Sequence, residues 1–158
     1  MRIGLGFDTH AFAPGRALIL GGVHIPYEQG LMGHSDADVL AHAVCDALLG
    51  AAQLGDIGQH FPDTDPAYRG ADSLHLLTCC MQMVRQAGWE LENVDAVLIA
   101  QAPKFAPYRP QMQQNMARAM GVEPICISVK ATTTEHLGFC GRKEGIAAQA
   151  VCLLKRKE

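Results

Sequence analysis

Apolar and polar positions alternate at the start of the chain, in MRIGLGFDTH. Successive side chains of a strand point to opposite faces, so the alternation puts three apolar side chains on one face and two polar ones on the other. The apolar face carries Ile3, Leu5 and Phe7, and the other carries Asp8 and His10. We therefore predict a half-buried strand that packs through its apolar face. The Cα atoms of Asp8 and His10 would lie about 7 Å apart, so both side chains could reach one ion.

A hairpin and a helix are predicted next. RALILGGVHIPY contains two short apolar runs separated by glycines, which predicts two short strands with a turn at Gly21–Gly22. Apolar residues then recur with helical spacing through DVLAHAVCDALLGAA. We expect this helix to begin near Ser35, whose side chain can cap it, and to end before Gly55.

Two further helices are indicated by the same spacing. One covers about residues 72–87 and stops at Gly88. The other has Pro110 in its first turn, three methionines along one side and Gly121 at its end. The apolar stripes of both helices are typical of packing against a core.

The remaining apolar runs predict strands. VDAVLIAQA is almost continuously apolar, which is typical of a strand covered on both faces, and ICISVKA and GIAAQAVCLL supply two more. Strands interleaved with helices, followed by a closing pair of strands, indicate an α+β fold, an α/β sandwich. We expect a mixed, mainly four-stranded sheet with helices packed on one face, plus a small N-terminal hairpin, in a single domain over residues 1–158.

Composition and charge narrow the class of protein. With 158 residues, 49% of them hydrophobic and 18% charged, the chain can bury a substantial core. A net charge of −3 and a pI near 6.1 argue against a nucleic-acid binder or a membrane-surface protein, because either would need a basic face. No apolar run approaches the ~20 residues of a membrane span, and no signal segment precedes the first strand, so we expect a cytoplasmic protein. The six cysteines form no C-x-x-C pair, which argues against a disulfide framework.

The first helix supplies a candidate third ligand to join Asp8 and His10. His42 lies one helical turn after Asp38 and one before Asp46, so these three side chains share a face. A carboxylate and two imidazoles suit zinc or another divalent transition ion, and three protein ligands leave a position open for substrate. The alternatives are an Asp in a turn, a surface His and a His packed in the core.

Several polar segments are candidates for binding a phosphorylated substrate. His34 and Ser35 come at the start of the first helix, where backbone N–H groups favour an anion. Lys104, in AQAPKFAP, follows a buried strand and offers a cation to phosphate. KATTTEHLGFCGR follows another strand and could hold a diphosphate, with Glu135 on a second metal ion. The acidic loop GDIGQHFPDTDP could bind a polyhydroxylated substrate, although Asx turns explain most of it.

Together these segments resemble the 2-C-methyl-D-erythritol 2,4-cyclodiphosphate synthase family. The resemblance covers essentially the whole chain and rests, in order, on GFDTHAF, GGVHIPY, GHSDADVLAHA, DALLGAAQLGDIGQHFPDTDP, AQAPK and KATTTEHLGFCGR. The chain departs from the family at two positions: Ala37 stands where glycine is frequent, and His136 stands where lysine is common. The resemblance implies conversion of 4-diphosphocytidyl-2-C-methyl-D-erythritol 2-phosphate to 2-C-methyl-D-erythritol 2,4-cyclodiphosphate and CMP, in the non-mevalonate isoprenoid pathway.

The resemblance also implies cofactors and an assembly. Asp8, His10 and His42 would bind the first metal, usually zinc. Glu135 would serve a second ion, magnesium or manganese, at the diphosphate. The 2-phosphate would attack the diphosphate of the same molecule, and a phosphate with a second pKa of ~6 is already an anion at neutral pH. The family further implies a homotrimer with active sites at subunit interfaces.

Catalytic and substrate-binding positions follow from the same resemblance. His34 and Thr133 would stabilise the transition state. The methylerythritol part would be contacted by Asp56, Gly58, Phe61, Pro62, Asp63, Thr64 and Asp65. Further substrate-binding positions are Asp8, His10, His34, Ser35 and Ile57. The cytidine diphosphate part would be held by Ala100, Gln101, Ala102, Pro103, Lys104, Phe105, Ala106, Thr132, Thr133, Thr134 and Glu135. Two further substrate positions are Phe139 and Arg142.

Two other functions stay open on the sequence alone. A metal-dependent phosphohydrolase would use the same ligands to activate water and would release linear products. A non-enzymatic binding protein would carry a structural metal, or would hold isoprenoid diphosphates between subunits. Structural zinc sites normally have four protein ligands, whereas this sequence offers three.

Overall fold

The central layer of the protein is a mixed sheet. The computed structural model describes residues 1–157, and Glu158, the last residue of the expected domain, lies outside this range. In chain order the strands are β1 (Arg2–Ala13), β2 (Leu18–Leu20), β3 (Val23–Ile25), β4 (Gly30–Leu31), β5 (Trp89–Ile99), β6 (Ile127–Thr132) and β7 (Gly145–Arg156). Within residues 1–157, five of them form one sheet in the order β4-β1-β7-β5-β6. β5 and β6 run parallel and the other neighbours run antiparallel.

The sheet confirms the sequence prediction and adds one short element. β1, β5, β6 and β7 are the four predicted strands, and β4 is a two-residue edge strand that pairs with the end of β1. The predicted hairpin is formed by β2 and β3. Gly21 and Gly22 make its turn with φ of 55° and 70°, a backbone region that glycine enters without steric cost.

The helices are α1 (Val39–Ala52), α2 (Ile57–His60), α3 (Ser73–Gln86), α4 (Arg109–Met120) and α5 (Gly138–Gly141). α1 packs on β1 and β7, α3 packs on α1, and α4 packs on α3 and β6. The carboxylate of Asp72 accepts a hydrogen bond from the N–H of Leu74 and so caps α3. α4 has Pro110 in its first turn and ends at Gly121 in the left-handed conformation, as predicted.

α1 begins later than the sequence prediction, which was wrong about its cap. The N-cap is Asp38, whose carboxylate accepts from the N–H of Ala41 at 3.0 Å. Ser35 lies in the preceding loop, where its Oγ accepts from the N–H of Ala37. Ala37 has a φ of 59°, so the chain cannot be helical before Asp38. The left-handed residue therefore sets the start of the helix.

The packed face of β1 is the opposite of the predicted one within a single chain. Ile3, Leu5 and Phe7 are 73%, 61% and 54% exposed. The other face carries Gly4 and Gly6, and α1 lies so close to them that an added Cβ would come within 1.9 Å of a helix carbonyl oxygen at either position. A hydrophobicity pattern does not reveal this close contact between β1 and α1, because glycine contributes no apolar side chain to the pattern. The apolar face of β1 is therefore exposed at the surface of the single chain.

Two further features concern membrane-spanning helices and the state of the cysteines. No helix within residues 1–157 is long and apolar enough to cross a membrane. All six cysteines are free thiols. Cys45, Cys80, Cys140 and Cys152 are buried among other side chains, where a thiol packs as a small apolar group.

Candidate active site

The three predicted metal ligands meet where β1 and α1 pack together. Asp8 Oδ2 lies 3.0 Å from His10 Nε2 and 3.0 Å from His42 Nδ1, and the two nitrogens are 3.3 Å apart. Ligands on a tetrahedral zinc ion, at bonds of about 2.0 Å, are separated by roughly 3.3 Å. Within residues 1–157 no other group of three such side chains is close enough to hold an ion. The donor types and their spacing therefore fit zinc.

The electrostatics of the metal-free group also favour a cation. Burial alone would raise the pKa of Asp8, but hydrogen bonds and charge from His10 and His42 lower it to about 2. Burial alone would lower the pKa of His42, yet the hydrogen bond and negative charge of Asp8 raise it above its usual value. Asp8 is therefore a carboxylate at neutral pH and can act as a negatively charged ligand. A metal ion would compete with the proton for the imidazole nitrogens of His10 and His42.

A cavity of about 570 Å³ opens beside these ligands. Its wall joins the metal group to the loop before α1, with His34 and Ser35, and to α2 and the segment after it. Of the predicted substrate positions on this side, it is lined by Asp8, His10, His34, Ser35, Ile57, Gly58, Phe61, Pro62, Asp63 and Thr64. Tyr68 and Leu76, which the sequence prediction did not include, also line it.

Two predicted substrate positions have structural roles instead of lining this cavity. Asp56 caps α2, since its Oδ1 accepts from the N–H of Gln59 at 3.0 Å. Asp65 likewise accepts from the N–H of Ala67 at 2.9 Å, in a short turn of helix. The main-chain oxygen of Asp65 lies 3.2 Å from His34 Nε2, so this residue also orients the imidazole of His34. The turn interpretation of these two acids is thus correct for their side chains.

A second cleft, of about 430 Å³, forms where β5 and β6 end. Backbone and side chains beyond the carboxyl ends of parallel strands often bind ligands. Of the predicted cytidine diphosphate positions, this cleft is lined by Ala100, Gln101, Pro103, Lys104, Phe105, Ala106, Thr132 and Thr133. Arg109 also lines it and adds a second cation. Ala102, Thr134 and Glu135 lie outside its lining.

One chain does not bring these two cavities together. β7 and β5 lie between β1, which carries the metal ligands, and β6, which leads to Thr133 and Glu135. Three strand spacings of about 4.8 Å separate β1 from β6 by roughly 14 Å. The last two predicted positions lie elsewhere again. Phe139 lines an apolar cleft with Phe7, and Arg142 pairs with Glu144 at 3.0 Å on the surface.

Three residues that the sequence prediction missed support the site from the protein side, either directly or through another residue. The guanidinium of Arg16 donates to the main-chain oxygens of Gly33 and Ser35, at 2.9 Å and 2.7 Å, and so holds the segment that carries His34. Asp36 and Ser73 form a polar pair behind His42. Each of these contacts joins residues far apart in the chain, so no local spacing predicts them. Ser73 directly follows Asp72, the N-cap of α3. Its place in the sequence therefore suggests another capping residue and gives no sign of its contact with His42.

Fold and site together define a class of protein. A metal group of three protein ligands, with one side open to a large cavity, is typical of a metalloenzyme that acts on a small molecule. The family model described as the YgbB family matches residues 1–155. The chain therefore belongs to the YgbB family.

Relatives and solved structures agree with this assignment. A protein of Geotalea daltonii named 2-C-methyl-D-erythritol 2,4-cyclodiphosphate synthase is 62% identical over 157 residues, which cover 99% of this chain and 92% of the relative. A Geobacillus thermodenitrificans protein of the same name is 60% identical over 99% of this chain and 98% of its own length. The bifunctional IspDF of Campylobacter jejuni has a TM-score of 0.96 and 48% identity over 99% of this chain, which spans 42% of that longer protein. A Plasmodium falciparum IspF, solved as a CDP complex, has a TM-score of 0.87 and 33% identity, covering 99% of this chain and 97% of that one.

Proposed function

We propose that this chain converts 4-diphosphocytidyl-2-C-methyl-D-erythritol 2-phosphate to 2-C-methyl-D-erythritol 2,4-cyclodiphosphate and CMP. The reaction is a metal-assisted intramolecular attack of the 2-phosphate on the diphosphate, in the non-mevalonate isoprenoid pathway. The observation that carries the proposal is the Asp8–His10–His42 group beside a large cavity, in a chain 62% identical to a synthase of that name. Homologous structures solved with CDP support a cytidine diphosphate ligand.

In this proposal the residues of the chain bind, fold and neutralise the substrate. The methylerythritol part lies in the cavity beside the metal ligands, against Gly58 and Phe61. Lys104 and Thr132 hold the diphosphate through charge and hydrogen bonds. The attacking phosphate is anionic at neutral pH, so alignment and charge stabilisation matter more than a general base. A zinc ion on the three ligands would supply Lewis-acid polarisation of a phosphoryl oxygen.

His34 and Thr133 are the residues that we assign to transition-state stabilisation. His34 lines the metal-side cavity and is oriented by the main-chain oxygen of Asp65. Thr133 lines the second cleft, and its Oγ1 lies 3.3 Å from a carboxylate oxygen of Glu135. A second ion, magnesium or manganese, would be held by Glu135 at the diphosphate, because hard cations of this kind bind carboxylate and phosphate oxygens together.

The proposed active form is a homotrimer with active sites between subunits. Two observations support it. The metal-side cavity and the second cleft lie on strands roughly 14 Å apart in one chain, and a neighbouring copy would bring a second cleft beside the metal ligands. Ile3, Leu5, Phe7 and Phe139 are exposed apolar side chains, and such a concentration is typical of a surface that packs against another chain. A closed arrangement of three copies around a three-fold axis would cover this apolar face in each subunit.

The cytoplasm is the compartment that we propose for the enzyme. Its six cysteines are free thiols, and Cys79 is partly exposed. Such thiols are stable in a reducing compartment and tend to pair in an oxidising one. We also propose that residues 1–158 act as one domain, since one continuous hydrophobic core joins the sheet to α1, α3 and α4.

The test is phosphorus NMR of the purified protein with its proposed substrate, with and without EDTA. We expect CMP and a cyclic diphosphate to appear together, and both to be lost when EDTA removes the metal. Linear products or free phosphate would instead identify a phosphohydrolase that uses the same ligands. Unchanged substrate with a folded, metal-loaded protein would favour a non-enzymatic binding protein.

A further inference from the structure

His42 has two ring nitrogens, and only one of them faces the metal group. Nδ1 points at Asp8 and His10, whereas Nε2 points into the protein, 2.8 Å from the hydroxyl of Ser73. Ser73 is fully buried, so no water competes for this contact. A second hydroxyl, that of Ser35, lies farther away at 3.2 Å. The hydrogen bond to Ser73 is therefore the main constraint on Nε2.

The direction of that hydrogen bond follows from the groups behind it. Asp36 Oδ1 accepts from the N–H of Asp38 and Oδ2 accepts from the N–H of Ser73, both at 3.1 Å. Each oxygen of Asp36 therefore already acts as an acceptor, and the hydroxyl of Ser73 donates its single proton to Oδ1. Ser73 Oγ can then only offer a lone pair to His42. For this hydrogen bond to form, His42 Nε2 must carry a proton and act as the donor.

We propose that Asp36 and Ser73 are positioning residues that fix the proton of His42 on Nε2 and so leave the lone pair of Nδ1 for the metal. The two side chains act through His42 and do not touch the metal or the substrate. Partners of this kind set the tautomer and the ring orientation of a metal-binding histidine. The inference rests on the metal site of the proposed function and says how the fold prepares one of its ligands.

The chain offers two variants that test the pair in different ways. Ser73→Ala removes the acceptor for Nε2–H while keeping a small side chain in the buried position. Asp36→Asn keeps the shape of the side chain, but its amide can donate to Ser73 Oγ, which lets the serine proton turn towards His42. We expect zinc to bind about 10- to 100-fold more weakly in either variant, measured by competition with a chelating dye.

NMR of the zinc-loaded protein gives a readout that a general loss of stability does not move. In the wild type we expect a His42 imidazole proton on Nε2, with slow exchange because it is buried against Ser73. In Ser73→Ala the same proton should exchange much faster. A matched control is Asp72→Ala, which removes the neighbouring cap of α3 and lowers the melting temperature. It should leave the zinc affinity within about twofold of wild type and the His42 proton unchanged.

Three results would overturn the inference. The first is a zinc-loaded wild type with the His42 proton on Nδ1. The second is a folded Ser73→Ala protein that binds zinc as tightly as wild type. The third is an equal loss of zinc affinity in Asp72→Ala, which would mean that general destabilisation explains the effect. A wild type that binds no zinc at His42 would contradict the metal site of the proposed function as well, so the two failures are distinguishable.

Discussion

Asp8 dominates the local electrostatics of the metal group. Its carboxylate contacts one nitrogen of each of the two imidazoles, at 3.0 Å, in a partly buried position. Zinc would need all three donors, since with fewer the ion is held weakly and its geometry is no longer fixed. The single carboxylate also supplies the only negative charge among the three. Its removal therefore tests function without removing a large packed side chain.

We expect Asp8→Ala to fold but to lose zinc and turnover. The loss of a metal that stabilises several kcal/mol of transition-state charge lowers turnover by on the order of 100-fold or more. The EDTA-treated variant should still unfold cooperatively, with a melting temperature lower than that of the EDTA-treated wild type by about 4–8 °C, which is what a loss of about 2 kcal/mol corresponds to in a domain of this size. Phosphorus NMR and a thermal melt measure the two effects side by side.

Asp95→Ala is the matched control for that prediction. Asp95 is an exposed aspartate whose partner is Lys130, on the neighbouring strand. Exposed ion pairs contribute little to stability, and this one lies outside both cavities, so turnover and zinc content should stay at wild-type levels. An Asp8→Ala protein that fails to fold would instead indicate a structural metal and would contradict the catalytic assignment.

The same residues predict how stability depends on pH in the metal-free protein. The folded-state pKa of Asp8, about 2, lies below its ordinary value of 3.8, so its stabilising contribution is present above about pH 4 and is lost as the pH falls towards 2. The pKa of His42 is raised above 6.5, so its contribution is complete below that pH and is lost as the pH rises through the raised value. The two contributions overlap between about pH 4 and 6.5.

Urea unfolding in EDTA, across this pH range, measures the effect. The difference in the free energy of unfolding between wild type and Asp8→Ala should be largest in the overlap, on the order of 2 kcal/mol, and smaller on either side. Zinc should abolish this profile, because the ion replaces the proton at the imidazoles. A difference that stays constant from pH 3 to 8 would contradict the ion-pair account.

Among the secondary-structure elements, α1 depends on one buried cap. The carboxylate of Asp38 accepts from the N–H of Ala41 at the start of the helix and from those of Gly21 and Gly22 in the hairpin turn, at 3.0, 2.9 and 2.8 Å. It therefore ties the β2–β3 hairpin to the helix that carries His42. We expect Asp38→Ala to lower the free energy of unfolding by about 3 kcal/mol or more, because three N–H groups lose their acceptor.

Asp72→Ala again supplies the comparison for Asp38→Ala. Asp72 caps α3 at an exposed position and accepts from the single N–H of Leu74. Its loss should lower the free energy of unfolding by about 1 kcal/mol. Denaturant unfolding of both variants measures the difference. Equal losses would mean that the hairpin contacts of Asp38 contribute nothing.

The sequence predicted these elements better than it predicted their ends and faces. Helical and strand periodicities depend on neighbouring residues, so α1, α3, α4 and the long strands could be predicted from local patterns. The cap of α1 could not, because it depends on the left-handed backbone of Ala37. The packed face of β1 was misassigned because Gly4 and Gly6 make the closest contacts without any apolar side chain.

The candidate site was predictable where its residues lie in recognisable motifs. Asp8, His10 and His42 stand in such segments, and the structure brings their donor atoms together. Asp36 and Ser73 were missed because the contact of Ser73 with His42, and that of Asp36 with Ser73, exist only after α1 and α3 pack side by side. A polar pair of this kind leaves no periodicity in the sequence, since its members are 37 residues apart.

For the whole molecule, the decisive test is assembly. We expect the wild type to sediment as a trimer and Leu5→Asp to sediment as a monomer, because the new charge would have to be buried in an apolar interface. Turnover should fall with assembly, since the metal-side cavity then lacks the cleft of its neighbour. Analytical ultracentrifugation and the phosphorus NMR assay measure the two together.

Ile125→Asp is the control for a charge placed on an exposed apolar residue. Ile125 is 92% exposed and lies just before β6, away from the apolar face of β1. This variant should remain trimeric and active. A wild-type protein that is monomeric and fully active would contradict the assembly proposal and would require one chain to bind the whole substrate.

The alternation along β1 has a consequence for how this protein can evolve. One face of the strand holds Asp8 and His10 and the other holds Leu5 and Phe7, so one inserted or deleted residue would exchange the two sets. The metal ligands would then lie on the exposed face of the strand, and the apolar side chains would point towards α1. The turn at Gly15 follows β1 and is open, since nothing lies within 4 Å of an added Cβ, so a residue inserted there would leave the alternation of the strand unchanged. We therefore expect β1 to tolerate substitutions at single positions more readily than a change in its length, which would disturb the metal ligands and the packing against α1 together.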